Sequence, residues 1–343
     1  MKIIGIFIWG MLGLYILLAL IIKRQFNKDV AIKGIACVFL WLSSYIIITP
    51  ACWTGLWEFW YYLFSSASNF RWNDYILFMG HMYNKNSTGI PKIYLPTMIS
   101  LTIPVGILLL AGIGSIIQIT SLIRKPEKLF DGTGYLFVME LAVGIPLCYA
   151  ILAETSVYNG WRHFYFTYIM FITLAAQCIF SLYRMASRFH KEKLISGILG
   201  IYSLSLIAGI AMSYPNEYAY YNILAGQNVA SSYELDYWDM SFKQAYEILL
   251  KNCKEGNITV GTISNPAYWG LEKQLNALRG KHRMRFILCE DWKNAEYIIV
   301  NPTYANMYGS SEYNLVKENY LLMDSIKSYG NTICEIYQKQ KTE

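Results

Sequence analysis

Six apolar runs dominate the first two-thirds of the chain, at residues 3–22, 30–49, 98–119, 132–152, 164–183 and 194–212. Each comes close to the ~20 residues that carry a helix across a bilayer. They predict a polytopic α-helical membrane protein with six spans. The pattern changes at residue 214. Over 241–252 the apolar positions Phe242, Ala245, Tyr246, Ile248 and Leu249 recur at helical spacing, and 258–263 reads as a buried strand. A second helix is expected over 267–278 and short strands over 285–288 and 296–300. Segments 320–326 and 332–337 flank Ser328-Tyr329-Gly330-Asn331, a hairpin signal. The chain therefore divides into a transmembrane domain, 1–213, with loops 50–97 and 153–163, and a small α/β domain, 214–343.

Composition agrees: 55% of the 343 residues are hydrophobic and only 15% charged, against about a quarter charged in soluble domains. The first run is no signal peptide, because Lys23-Arg24 stand where a small-residue cleavage site belongs. The formal charge of +6 does not point to nucleic acid, because the basic residues sort by loop. Lys23, Arg24 and Lys28 follow the first span, Arg124, Lys125 and Lys128 the third, and Arg184, Arg188, Lys191 and Lys193 the fifth. The alternate loops hold only Arg71, Lys85, Lys92 and Arg162. By the positive-inside bias the basic loops are cytoplasmic. The two sparse loops and the α/β domain then lie outside the plasma membrane. The seven cysteines show no metal-ligand spacing; three of them, Cys253, Cys289 and Cys334, fall in the outer domain, where one disulfide and a spare thiol are conceivable. No cofactor is identified, and a divalent-metal requirement is left open. Asn86-Ser87-Thr88 and Asn257-Ile258-Thr259 fit the glycosylation acceptor pattern.

Several polar groups stand where anchoring does not require them. Trp53, Trp57, Trp60, Tyr61, Tyr62 and Phe64 are spaced to line an interfacial helix, either as an aromatic belt or as the wall of a lipid groove. Arg162, at the outer end of the fifth span, either grips a phosphate with paired donors or snorkels to headgroups. His163 beside it adds a hydrogen bond or a proton. Glu140 falls within the fourth span, where a carboxylate is costly and marks either a function or pairing with Gln177 or Gln118. Tyr220, Asn222, Asp236 and Trp238, just past the last span, serve either a hydroxyl-rich ligand or the fixing of the outer domain. In the second case Asp236 caps the helix beginning near Ser241. No Ser-His-Asp pattern, phosphate loop, Rossmann fingerprint or zinc-protease run occurs.

Five stretches recur in a common order: Phe78-Met79-Gly80; Ile93-Tyr94-Leu95-Pro96 before a span with Ile103-Pro104; Tyr158-Asn159-Gly160-Trp161-Arg162-His163; Tyr214-Pro215-Asn216-Glu217-Tyr218-Ala219-Tyr220-Tyr221-Asn222; and Glu234-Leu235-Asp236-Tyr237-Trp238. In them the chain resembles the C-terminal part of bacterial membrane glycosyltransferases of the dolichyl-phosphate-mannose protein mannosyltransferase and aminoarabinose transferase type. The resemblance implies transfer of a sugar from a polyprenyl phosphate to an extracytoplasmic lipid, glycan or protein acceptor. In that family a carboxylate of the first outer loop is the base. No such loop precedes the first cytoplasmic turn here, and Glu58, Asp74 and Glu154 do not match its position. The catalytic residue is therefore unassigned, and the expectation is a truncated reading frame or a split half with a separate N-terminal partner. A non-catalytic scaffold or glycan-binding module is the alternative reading.

Overall fold

The computed structural model describes residues 4–68, 74–84, 87–153, 157, 159–278 and 280–340. Six helices are long and apolar enough to cross a membrane: α1 (Ile4–Ile22), α2 (Lys28–Ile48), α5 (Val105–Arg124), α6 (Gly132–Leu152), α7 (Tyr168–Ser187) and α8 (Glu192–Ser213). Between α2 and α5 come α3 (Leu56–Ser68), a hairpin of β1 (Ile76–Phe78) and β2 (His81–Tyr83), and α4 (Tyr94–Thr102). The polypeptide forms two compact units. Arg71, Lys85, Asn86, Glu154 and Tyr158 lie outside the described residues.

The first unit holds α1, α2, α3, α5, α6 and most of α7. Asn27 caps α2, its side chain accepting from Val30 N at 3.0 Å, and Asp29 sits in the positive first turn. Aromatic rings tie these helices together: Trp9 lies 5.8 Å from Trp41, Trp41 6.1 Å from Tyr45, and Tyr45 5.5 Å from Trp60 of α3. Much of the aromatic stretch expected to line an interfacial helix is helical, as α3, and its Trp57 is 81% exposed. Helices α5 and α7 meet through small residues. A Cβ on Gly114 would sit 2.0 Å from the Leu174 carbonyl oxygen, so only glycine permits that approach. Ala111, Leu174 and Ala175 fill the rest of the crossing. Tyr15 of α1 donates to the Leu129 carbonyl at 2.9 Å, and Lys23 pairs with Asp131 at 3.4 Å. The loops after the first and third spans are thus held to one another.

The third expected span is corrected. The apolar run from 98 is broken at Ile103-Pro104, with α4 ending at Thr102 and α5 starting at Val105. Proline has no N–H to continue the ladder and pushes the preceding residue out of the helical region. Ile103 accordingly has φ −96° and ψ 137°.

The second unit comprises residues 74–105, 158–161 and 183–343. After α8 and the one-turn α9 (Val229–Ser232) the chain forms α10 (Phe242–Asn252), β3 (Ile258–Gly261), α11 (Asn265–Asn276), β4 (Phe286–Leu288), β5 (Tyr297–Val300), α12 (Pro302–Tyr308), α13 (Ser310–Asn319), β6 (Tyr320–Ser328) and β7 (Asn331–Lys339). The sheet order is β4-β3-β5-β7-β6, with β4, β3 and β5 parallel and β7 and β6 antiparallel. The expected helices, strands and hairpin all form, with ends shifted by a few residues. Two helices between β5 and β6 were not foreseen. The stripe Phe242, Ala245, Tyr246 and Leu249 of α10 is fully buried, as are Val260, Ile298 and Val300 of the sheet.

The last span is fastened to this sheet by the β6–β7 turn. Tyr329 N donates to Ser213 Oγ at 3.0 Å, and the Ser328 hydroxyl donates to the Asn216 carbonyl at 2.7 Å. The Tyr329 ring faces Gly209 of α8, where an added Cβ would stand 3.2 Å from it.

Candidate functional site

Parts of the five motif stretches, far apart in sequence, meet in the second unit, the third contributing Asn159, Gly160 and Trp161. Phe78 forms an antiparallel bridge with Tyr233, and its ring lies edge-on to Tyr94 at 5.1 Å and to Tyr233 at 6.0 Å. Met79 and Gly80, both at positive φ, make the tight turn, and Gly80 N donates to the Ser232 carbonyl at 3.2 Å. Tyr94 OH accepts from Gly160 N at 2.8 Å. Trp161 Nε1 donates to Thr102 Oγ1 at 2.6 Å. Asn159 Nδ2 donates to Glu234 Oε1 at 2.8 Å, and Glu234 is buried.

Asn222 closes the break before Pro104. Its backbone N–H donates to the Leu101 carbonyl at 2.7 Å, and its Nδ2 donates to the carbonyls of Ser100 and Ile103 at 2.6 and 2.7 Å. These carbonyls belong to the end of α4, where orphan acceptors need partners. Its Oδ1 accepts from Leu224 N at 2.9 Å. Asn222 therefore spends its side chain on the fold.

Asp236 is fully buried. Oδ1 accepts from Tyr218 OH at 2.6 Å and Met240 N at 2.9 Å, and Oδ2 accepts from the backbone N and the hydroxyl of Ser241. It is the clamp at the entry to α10. The carboxylate holds the Tyr218 hydroxyl far above the usual phenol range, burial being the larger cause. Asp239, at φ +51°, lies just beyond with Oδ1 accepting from Asn301 Nδ2 at 2.7 Å. Tyr220 packs edge-on against Tyr329 at 4.8 Å, joining the post-span segment to the β6–β7 turn.

Trp238 is 47% exposed and starts an aromatic ladder. Its ring is 5.1 Å from Tyr237, whose carbonyl accepts from Tyr304 OH at 2.6 Å. The Tyr304 and Tyr308 rings lie 6.1 Å apart, and Tyr308 OH reaches Asp74 Oδ1 at 3.4 Å. Burial first, then the charges of Asp239, Glu234 and Asp74, push the Tyr304 hydroxyl up; burial, Asp74 and Glu234 do the same for Tyr308. Both phenols stay protonated donors at neutral pH. Exposed indole, phenol and carboxylate groups in one row can stack on and hydrogen-bond a hydroxyl-rich ligand. Tyr304 and Tyr308 were not foreseen, because they lie on α12 in a stretch without motif or strong periodicity.

Arg162 and His163 follow Trp161 in a 3₁₀ turn, residues Arg162–Thr167, that opens the fifth span. Both are half-buried and belong to the first unit. Glu140, also in the first unit, is buried on α6 and accepts from Gln177 Nε2 of α7 at 3.1 Å. Among the described residues no group of His, Cys, Asp and Glu side chains is placed to hold a metal ion. No family model, curated protein or solved structure matches the chain.

Proposed function

We propose that this protein serves the transfer of a sugar from a polyprenyl-phosphate donor to an extracytoplasmic acceptor at the plasma membrane. In this reading the α/β domain and the sparse loops lie outside and the basic loops face the cytoplasm. The observation that carries the reading is the convergence of the five motif stretches on one another through Phe78–Tyr233, Tyr94–Gly160, Trp161–Thr102, Asn222–Ile103 and Asn159–Glu234. Arg162, next in chain after Trp161, is assigned to the donor phosphate, and the Trp238-to-Asp74 ladder to sugar or acceptor hydroxyls. A glycan-binding module without transfer is the second reading, favoured by one fact: Asn222 and Asp236 spend their polar atoms inside the protein.

The test is binding and turnover of a radiolabelled polyprenyl-phosphate sugar by the chain in lipid nanodiscs. Donor binding is expected. Arg162→Lys should weaken binding by roughly 1.5–3 kcal/mol, the scale of a charged hydrogen bond, or about tenfold or more. Lysine keeps the charge but loses the planar pair of donors. Lys92→Ala is the control and should change little. Equal donor affinity for wild type and Arg162→Lys would remove Arg162 from the phosphate. Absence of donor binding alongside binding of a free glycan would leave the second reading.

A further inference from the structure

Where α1 ends and α6 begins, the first unit holds a cleft of about 390 Å³, within the ~300–1,000 Å³ typical of small-ligand sites. Ile16 and Leu20 of α1 and Phe130, the last residue of the 3₁₀ turn Pro126–Phe130, give it apolar walls. These walls are fixed in place. Tyr15 stacks on Phe130 with ring centroids 6.2 Å apart and donates to the Leu129 carbonyl at 2.9 Å. Gly134 has no room for a Cβ beside that same carbonyl, so only glycine lets the turn lie this close to α6. One cation and one anion also line the cleft. Lys23 Nζ lies 3.4 Å from Asp131 Oδ1, and both side chains are open to solvent. Asp131 immediately precedes α6, yet its side chain makes no capping hydrogen bond, so its carboxylate is left to the cleft. The Tyr135 ring, 6.2 Å from that of Tyr15, is a further lining group.

The position of the cleft narrows the ligand. Helices α1 and α6 are both long and apolar enough to cross a membrane, and the cleft lies where the apolar run of each stops. That is the depth of phospholipid headgroups. Pockets for anionic headgroups are basic alone, whereas here Asp131 offsets Lys23. An exposed pair of opposite charges matches a headgroup that carries both signs. We propose that this cleft binds one zwitterionic phospholipid with a primary ammonium, a phosphatidylethanolamine. Its phosphate accepts from Lys23, and its ammonium donates to Asp131 beside the face of Tyr135. Its acyl chains run along Ile16 and Leu20. An ion pair in the open holds weakly, so the headgroup enters between the two side chains and replaces one contact with two charged hydrogen bonds. A trimethylated ammonium has no N–H for Asp131, which sets the site against choline lipids. The inference depends neither on the sugar-transfer reading nor on which side of the membrane the cleft faces.

Native mass spectrometry tests this on the whole chain in detergent, titrated with the dioleoyl forms of phosphatidylethanolamine, phosphatidylcholine and phosphatidylglycerol. One ethanolamine lipid should be retained about tenfold or more tightly than either of the others, the scale of one charged hydrogen bond. Lys23→Gln and Asp131→Asn should each abolish that preference, whereas Lys23→Arg and Asp131→Glu should keep it. Thermal melting supplies a second readout, since a ligand that binds only the folded chain stabilises it. Wild type should melt higher with the ethanolamine lipid than with the choline lipid, and the two neutral variants should melt alike in both. Equal retention of the three lipids by wild type, or a preference for the choline or glycerol lipid, overturns the proposal. So does an ethanolamine preference that survives in both Lys23→Gln and Asp131→Asn.

Discussion

Two aspartates three residues apart in the second unit have opposite surroundings. Asp236 is saturated by four donors, whereas Asp239 has Asn301 Nδ2 on one oxygen and the bare Cα of Gly270 against the other. A Cβ at Gly270 would stand 2.1 Å from Asp239 Oδ2. The Asp239 carboxyl is pushed well above the usual range, by burial first and then by the Asp236 charge, against the Asn301 hydrogen bond and the Lys273 charge. The folded chain thus holds this proton more tightly than the unfolded chain. The stabilisation is complete below the ordinary aspartate pKa of ~3.9. It declines as pH rises above that value and is lost as pH passes through the raised folded value. Asp239→Asn keeps the acceptor for Asn301 and has nothing to ionise. It should match wild type in acid and exceed it by more than about 1 kcal/mol at neutral pH. Melting of the outer domain, followed by its tryptophan fluorescence from acid to neutral pH, measures the gap. A gap that does not depend on pH would contradict the assignment.

At the scale of elements, the break between α4 and α5 explains both an error and a residue. The run from 98 to 119 is apolar throughout, so hydropathy alone carries a helix straight through it, and only Pro104 marks the division. What holds the break is Asn222, about 120 residues away, and no local pattern connects the two. The same limit hid α12 and α13: with many polar residues between 302 and 319, their buried faces are set by β6 and β7. By contrast, β3, β5 and the β6–β7 hairpin were legible because short apolar runs with turn residues between them need no distant partner to be recognised. Asn222→Leu tests the splint. The part-buried Ser100 carbonyl and the buried Ile103 carbonyl lose their donor, the buried one at ~1–3 kcal/mol, so amide exchange over residues 218–226 should speed up at least about fivefold. Exchange unchanged from wild type would mean that the loop is held by packing alone.

Across the whole molecule, six helices are long and apolar enough to cross a membrane, and six crossings, an even number, would return the chain to the face from which α1 starts. Ten basic residues fall in the loops after the first, third and fifth spans, against four in the alternate loops and the turn at Arg162. The Lys23–Asp131 pair joins the loops after spans one and three, and Tyr15 of α1 bonds the Leu129 carbonyl of the second of these loops. What the sequence could not supply is the arrangement of the candidate site. Arg162, Asn222, Asp236 and Trp238 were legible as chemistry, but whether each faces a ligand or the fold depends on partners such as Ser100, Ser241 and Tyr304 that lie 5 to 122 residues away. The proposed orientation has a direct test. In a variant with Cys253 and Cys289 replaced by serine, a membrane-impermeant thiol reagent applied to intact cells should modify Ser87→Cys and spare Lys125→Cys until the membrane is opened. Both positions are exposed and polar, so reactivity reports the side and not burial. The reverse pattern would place the α/β domain in the cytoplasm. It would also remove the polyprenyl-phosphate reading, because that reading needs Arg162 and the Trp238 ladder on the outer face.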